Sequence, residues 1–218
     1  MIKFFVQFVI AIFMVPVAAG ITIAFYNNFL MINDLANSAS YFLWGIVSYA
    51  VLHLLFYKPT YLYVLGHETV HAGVAWLFGG KIKSFKVSGD GGKVSTDKSN
   101  IFIELSPYFI PLYAIIVTVV YFVIASSYNI NNATFIFLIG FALAFHLVST
   151  IEVLKIRQPD LVKSGYFFSV VLVYIFNIVV ISLIFGLIFP SFSLINCFTD
   201  FWRLSRNIYE TAARQMFF

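Results

Sequence analysis

The segment Thr60–Gly79, TYLYVLGHETVHAGVAWLFG, carries the run His67-Glu68-Thr69-Val70-His71 within a stretch about as long as a bilayer is thick. On a helix, residues four apart lie on one face, about 6 Å from each other. Two imidazoles in this arrangement can share one zinc ion, and the carboxylate of Glu68 can act as a general base beside it. The chain has only four His residues, so a chance run of this kind should occur in roughly one such sequence per thousand. The segment therefore predicts a zinc-binding helix inside a membrane.

The composition is that of an integral membrane protein. Hydrophobic residues make up 61% of the chain and charged residues 10%, whereas soluble domains have about 45–50% and 25%. These figures exclude a soluble protein. No basic stripe runs along a polar face, so nucleic-acid binding is not expected. The one cysteine, Cys197, excludes an internal disulfide.

Hydrophobic stretches of sufficient length predict about six transmembrane helices in a single polytopic domain over residues 1–218. Pro59 suits the first turn of the third helix, where its missing N–H leaves no bond unmade. Pro107 and Pro111 interrupt the fourth helix, where they either produce a kink needed for packing or help to open a gate. The six predicted spans are approximately Phe4–Tyr26, Tyr41–Tyr57, Thr60–Gly79, Ile103–Ser126, Asn132–Leu154 and Gly165–Phe189.

A long polar stretch, Lys81–Asn100, separates the third and fourth predicted spans. Lys81–Ser88 has the composition of a strand, Gly89–Gly92 is a strong turn signal, and Lys93–Thr96 can return as a second strand. We therefore predict a β-hairpin after the metal-binding helix, with an ordinary connecting loop as the alternative.

The tail, Pro190–Phe218, is too polar for a seventh span. Arginines alternate with apolar residues at a spacing that suits an amphipathic helix in the membrane interface, with an anchoring role. The predicted fold class is thus an all-α integral membrane protein with about six transmembrane helices, a short β-hairpin and a C-terminal interfacial helix.

Alternation of six spans predicts the orientation of the chain in the membrane. The side that holds the hairpin would carry eight of the 13 basic residues, and the side that holds Lys58 and both termini would carry five. The positive-inside rule therefore favours a cytoplasmic hairpin and external termini.

A catalytic zinc site needs a third protein ligand, and two residues compete for that place. His146 lies in the fifth span at a depth close to that of His71, and Ser149 and Thr150 share its helical face. Asp160 follows the end of that span and can reach the metal only if its loop folds back towards the membrane. The sequence leaves both open, and the two can also serve together.

The fourth histidine, His53, lies near the end of the second span and is interpreted as an interfacial or helix-packing residue, with a substrate-handling role as the alternative. A haem site is a further class to consider, because histidines occur on several spans. His67 and His71 share one helix face, however, and cannot take opposite faces of one haem.

These residues resemble the site-2 protease family of intramembrane zinc metalloproteases. The resemblance is carried by Gly66–Ala72 with its H-E-x-x-H, by Gly79-Gly80, and by the strand-like Lys81–Val87; it covers about residues 58–165. It implies that His67 and His71 are zinc ligands, that Glu68 is the general base, and that the hairpin and catalytic centre face the cytoplasm. The family's third ligand is usually an Asp near a Pro and a Gly; Gln158-Pro159-Asp160 matches in part, since Leu161 stands where Gly is expected.

The sequence thus predicts an intramembrane zinc metallopeptidase, an enzyme that hydrolyses peptide bonds of membrane-anchored protein substrates within the lipid bilayer. The alternative is a non-catalytic zinc-binding membrane subunit with a structural or assembly role. Glu68 argues against that alternative, because a structural site needs no general base. The compact size suits a multi-pass protein of a bacterial cytoplasmic membrane.

Overall fold

The computed structural model describes residues 2–32, 38–55, 58–89, 91–125 and 132–217. Within these ranges the chain is mostly helical and contains one two-stranded sheet. The predicted span ends Tyr57 and Ser126, and the turn residue Asp90, lie outside the described residues. The helices are α1 (Ile2–Phe29), α2 (Ser38–Leu55), α3 (Thr60–Leu77), α4 (Ile101–Leu105), α5 (Leu112–Ala125), α6 (Asn132–Ile156), α7 (Pro159–Lys163), α8 (Tyr166–Ile188) and α9 (Leu194–Phe217); the strands are β1 (Ile82–Ser88) and β2 (Gly91–Thr96).

Four of the described helices are long and apolar enough to cross a membrane, namely α1 from Phe4, α2, α6 and α8. A fifth span results if α4 and α5, which are bent by 75° at a short break, are counted as one. These helices identify a membrane-type protein, but the six predicted spans are not confirmed. Helix α3, which carries His67 and His71, is not among the candidates, because two His residues and a Glu lower its apolar character.

The fourth predicted span is broken rather than continuous. A 3₁₀ turn, Ser106–Tyr108, follows α4, and α5 begins only at Leu112. Pro107 and Pro111 stand at the break, and neither can donate a backbone N–H to the preceding turn. The prolines therefore end one helix and allow the next to leave in a new direction.

The predicted hairpin is confirmed. β1 and β2 pair antiparallel from Ser88 opposite Gly91 to Ile82 opposite Thr96, with a register shift between Ile82 and Ser84. At its base, Asp97 Oδ1 accepts a hydrogen bond of 2.6 Å from the Lys81 N–H. This bond, helped by nearby lysines, lowers the pKa of the exposed Asp97 carboxyl.

The chain divides into two compact units: unit 1 comprises Met1–Leu35 and Leu161–Phe218, and unit 2 comprises Ala36–Asp160. Unit 2 contains most of the core expected over residues 58–165. The single polytopic domain stays a prediction.

In unit 2, α2 and α6 pack side by side and run in the same direction. The Tyr49 ring lies 5.2 Å from that of Phe141, and one turn further His53 Nε2 lies 3.2 Å from Glu152 Oε1. Two spans with the same direction must be separated by an odd number of crossings. Alternation of the predicted second to fifth spans would make α2 and α6 antiparallel, so their shared direction does not fit that alternation.

The end of unit 2 where α2 and α6 finish also holds the hairpin tip. Gly89 lines one cavity together with Lys58 and Glu152, and Lys58 Nζ donates to Glu152 Oε1. The base of the hairpin lies at the other end of α3, where Lys98 Nζ donates to the Phe78 carbonyl. The predicted orientation in the membrane stays a prediction.

Unit 1 is built from α1, α8 and α9. Phe25 of α1 contacts Phe185 and Phe192, at ring-centroid distances of 5.4 and 5.8 Å, in an aromatic cluster. The tail forms the predicted helix, beginning at Leu194. It packs along α1, and its orientation in a membrane interface stays a prediction.

Candidate metal centre

Helix α3 brings His67 and His71 together as the spacing predicted. Their Nε2 atoms lie 3.1 Å apart. The carboxylate of Asp160 joins them, with Oδ2 at 3.5 Å from His71 Nε2 and 3.9 Å from His67 Nε2. Among the described residues these three form the group whose ligand atoms lie close enough to hold a metal ion.

Asp160 reaches the histidines because the chain reverses directly after α6. Arg157 adopts a left-handed conformation with φ of 53°, which a non-glycine residue adopts only where the surrounding structure requires it. Pro159 then starts the short helix α7, a position that suits its fixed φ. This is the folding back that the sequence required of Asp160 as a ligand.

His146 does not belong to the three-residue group. It lines a cavity with His67, alongside apolar residues such as Pro107 and Phe145. The prediction matched its depth to that of His71, but depth along a helix does not fix which way a side chain faces. The group of described residues that could hold a metal ion contains Asp160 and does not contain His146.

Hydrogen bonds on the far side of each ring orient both histidines. His71 Nδ1 lies 2.8 Å from the Ile103 carbonyl oxygen. A carbonyl can only accept, so Nδ1 carries the hydrogen and Nε2 of the neutral ring keeps its lone pair. His67 Nδ1 lies 3.2 Å from the Tyr63 hydroxyl. Such outer contacts are what metal-binding histidines commonly have.

Pro107 explains why the Ile103 carbonyl is available to His71. In a continuous helix this carbonyl would accept the N–H of the residue four positions on, which is Pro107 and has none. The oxygen instead accepts from His71 and from the Ser106 hydroxyl, the latter at 3.0 Å. The sequence analysis assigned the prolines only to kinking or gating; the signal it missed is a proline four residues after a carbonyl near the metal.

The donor set fits a zinc ion. Two imidazole nitrogens and a carboxylate oxygen are ordinary zinc ligands, and at bond lengths of 2.0–2.2 Å the ligand atoms of a tetrahedral site lie about 3.3–3.6 Å apart. The three observed separations, 3.1, 3.5 and 3.9 Å, bracket that range. Lone pairs at these distances repel one another unless a proton or a metal cation lies between them.

Asp160 is held as an anion. An aspartate carboxyl is ordinarily ionised at neutral pH, and the imidazoles of His67 and His71 face its Oδ2 here. The Tyr108 hydroxyl also donates to Oδ2, at 3.4 Å. The carboxylate is therefore ready to bind a cation at neutral pH.

Glu68 lies beside the group without being one of its three members. It is 8% exposed and lines a cavity with His67, Gln158 and Gly92. The hairpin approaches it closely: a Cβ placed on Gly92 would lie 2.6 Å from Glu68 Cγ. The start of β2 therefore covers this carboxylate, a contact that the sequence analysis did not predict.

His53 is a packing residue, as the sequence suggested. Its Nδ1 lies 3.1 Å from the Tyr49 hydroxyl and its Nε2 contacts Glu152. The ring is buried and joins α2 to α6. Glu152 is the partner that the sequence analysis missed.

Comparison with models of protein families, with curated proteins and with solved structures finds no match to this chain. The function is therefore inferred from the chemistry of the site itself.

Proposed function

We propose that this chain is a zinc-dependent peptidase that hydrolyses peptide bonds of membrane-embedded protein substrates. The observation that supports the proposal is the convergence of His67 Nε2, His71 Nε2 and Asp160 Oδ2 next to the buried carboxylate of Glu68. When bound, zinc supplies Lewis acidity, which makes water nucleophilic near neutral pH and polarises a carbonyl.

The residues of the site have separate roles in metal binding, ring orientation and proton transfer. His67, His71 and Asp160 hold the metal, and the Ile103 carbonyl and the Tyr63 hydroxyl keep the two rings turned towards it. Glu68 takes a proton from the attacking water and passes it to the leaving amine. Its cover by the hairpin keeps the carboxylate out of bulk water, which strengthens its electrostatic interactions.

Because four of the described helices are long and apolar enough to span a membrane, we propose that the hydrolysis takes place within the bilayer. In the arrangement we favour, the bent pair α4–α5 crosses the bilayer, whereas α3 and the hairpin, whose tip lies near Lys58, enter it without crossing. Non-helical backbone at membrane depth is tolerated where it lines a cavity, and α3, the hairpin and α6 line one. A helix with H-E-x-x-H followed by a hairpin also resembles the order of elements in the site-2 protease family, which supports the same proposal.

A structural zinc site is the alternative, and Glu68 distinguishes the two. Removing a carboxylate from water without using it as a metal ligand costs desolvation free energy. A hydrolase needs such a group as a general base, whereas a site that only stabilises the fold does not.

The test is the Glu68→Gln variant of the full chain, reconstituted in liposomes with a panel of single-span helices that carry a helix-breaking Asn-Pro pair. We expect wild-type protein to cleave at least one member, and Glu68→Gln to bind zinc equally but cleave about 100- to 10,000-fold more slowly. Glu104→Gln is the matched control, since Glu104 is buried to a similar extent but is bound by Ser99.

Unchanged cleavage by Glu68→Gln would remove the general base from the mechanism. If zinc-loaded wild type cleaves no member of the panel and therefore does not differ from Glu68→Gln, the structural role is favoured.

A further inference from the structure

Helix α9 runs antiparallel along α1 for much of its length. Asn28 lines one cavity with Thr199, a Cβ on Gly20 would lie 2.8 Å from the Ser205 nitrogen, and the Tyr209 hydroxyl bonds the Phe13 carbonyl. The axis of α9 is therefore aligned with that of α1, which is a candidate membrane span, and does not lie across it.

A polar stripe runs along α9. Asp200, Arg203, Asn207, Glu210 and Arg214 follow one another at intervals of three, four, three and four residues, which is the spacing of a seam between two helices. Ser205, which contacts α1, lies elsewhere on the helix surface. Most of the stripe is exposed, with the side chains of Arg203 and Glu210 at 67% and 46%.

Such a stripe is poorly suited to lipid, since charged groups beside a span are stable only when paired or hydrated. Within one chain Asp200 pairs with Arg203 at 2.6 Å and Glu210 with Arg206 at 2.7 Å. These are single contacts between exposed side chains, which stabilise little.

The charges along the stripe are negative, positive, neutral, negative and positive. Read from the other end, the sequence of charges is the opposite at each position, so an antiparallel copy presents a positive charge to each negative one. If a second α9 lies antiparallel with Asn207 at the centre, Asp200 meets Arg214 of the second copy and Arg203 meets Glu210, each pair occurring twice. We propose that α9 forms a two-fold antiparallel interface with a second copy of this chain through this stripe. Two-fold symmetry requires a surface that complements itself, and this one does.

The charge balance selects this partner over others. The four charged residues of the stripe sum to zero, so the stripe has no net attraction for an anionic lipid surface. A parallel pairing would set like charges side by side, which is unfavourable. The proposal concerns unit 1 alone and does not rest on the proposed hydrolysis.

The first test is disulfide trapping in native membranes with Asn207→Cys, which the two-fold axis would place against its own copy. Ala213→Cys is the matched control: it is also exposed on α9 but lies about 120° around the helix. The native Cys197 is 2% exposed and remains in both variants. We expect a covalent dimer from Asn207→Cys only; equal trapping of both variants, or trapping of neither, would overturn the proposal.

The second test is charge exchange, read as the oligomeric state of the full chain by mass photometry in lipid nanodiscs. Arg203→Glu and Glu210→Arg each place two like-charged pairs across the seam and should shift wild-type dimer to monomer. The double variant restores opposite charges and should recover the dimer. A wild type that is monomeric at every concentration, or single variants that stay dimeric, would contradict the assignment; so would a double variant that remains monomeric.

Discussion

At the scale of single residues, the metal centre shows which contacts local sequence can predict. His67, Glu68 and His71 were predictable because the period of one helix sets their spacing. Asp160 was only one of two alternatives, because its position depends on a chain reversal at Arg157 that has no strong local signal. The contact of His71 with the Ile103 carbonyl was missed, since a sequence motif specifies side chains and gives no information about a backbone atom.

Pro107 provides a prediction at this scale. Replacing it with alanine supplies an N–H that competes with His71 for the Ile103 carbonyl. Loss of an outer hydrogen bond of this kind commonly weakens metal binding by 10–100-fold, so we expect zinc affinity to fall roughly tenfold, measured by competition with a chromophoric chelator.

Pro111→Ala is the control, because the carbonyl it would compete for does not touch either histidine. Equal zinc affinity in wild type and Pro107→Ala, with correctly folded protein, would show that the proline has no part in orienting His71.

At the scale of elements, the hairpin was predictable and its contact with the metal helix was not. Gly89–Gly92 is a turn signal within a few residues, so the strands could be located from sequence. The packing of β2 on Glu68 is a tertiary contact, and Gly92 is needed there because no side chain fits. The break in the fourth span could be predicted only in part: the sequence shows its prolines but does not determine the 75° bend.

Gly92→Ala tests the role of the hairpin. The added methyl would lie 2.6 Å from both Glu68 Cγ and Val64 Cγ1, so the strand or the carboxylate must move. Displacement of a catalytic group by about 1 Å can reduce rates about 100-fold. We expect a 10- to 100-fold loss of cleavage in the liposome assay, with zinc content unchanged.

Gly89→Ala in the same hairpin is the matched control, because a Cβ there meets no atom within 4 Å. If both substitutions leave cleavage intact, the hairpin does not position Glu68; if both abolish it, the effect lies in the hairpin's own folding.

At the scale of the whole molecule, composition correctly indicated a membrane protein, but the count of spans did not follow from hydrophobic stretches alone. Length and apolar character cannot tell a crossing from an element that enters and returns. The shared direction of α2 and α6, visible in the Tyr49–Phe141 and His53–Glu152 contacts, carries that information.

The ends of unit 2 can be assigned to sides of the membrane by labelling. Lys58 and Lys155 lie at the end of unit 2 that also holds the hairpin tip, and the positive-inside rule favours the cytoplasm for this end. A cysteine in place of Ser88 at the hairpin tip should react with a membrane-impermeant maleimide only in inverted vesicles, and one in place of Ala125 only in intact cells. Labelling of both from one side would contradict the odd number of crossings between α2 and α6.

The most direct measurement is the zinc content of the purified full chain, compared with Asp160→Ala and His146→Ala. We predict about one zinc ion per chain in the wild type and in His146→Ala, and almost none in Asp160→Ala, because the carboxylate is one of three ligands. Zinc retained by Asp160→Ala and lost from His146→Ala, or a wild type that binds none at micromolar zinc, would contradict the account.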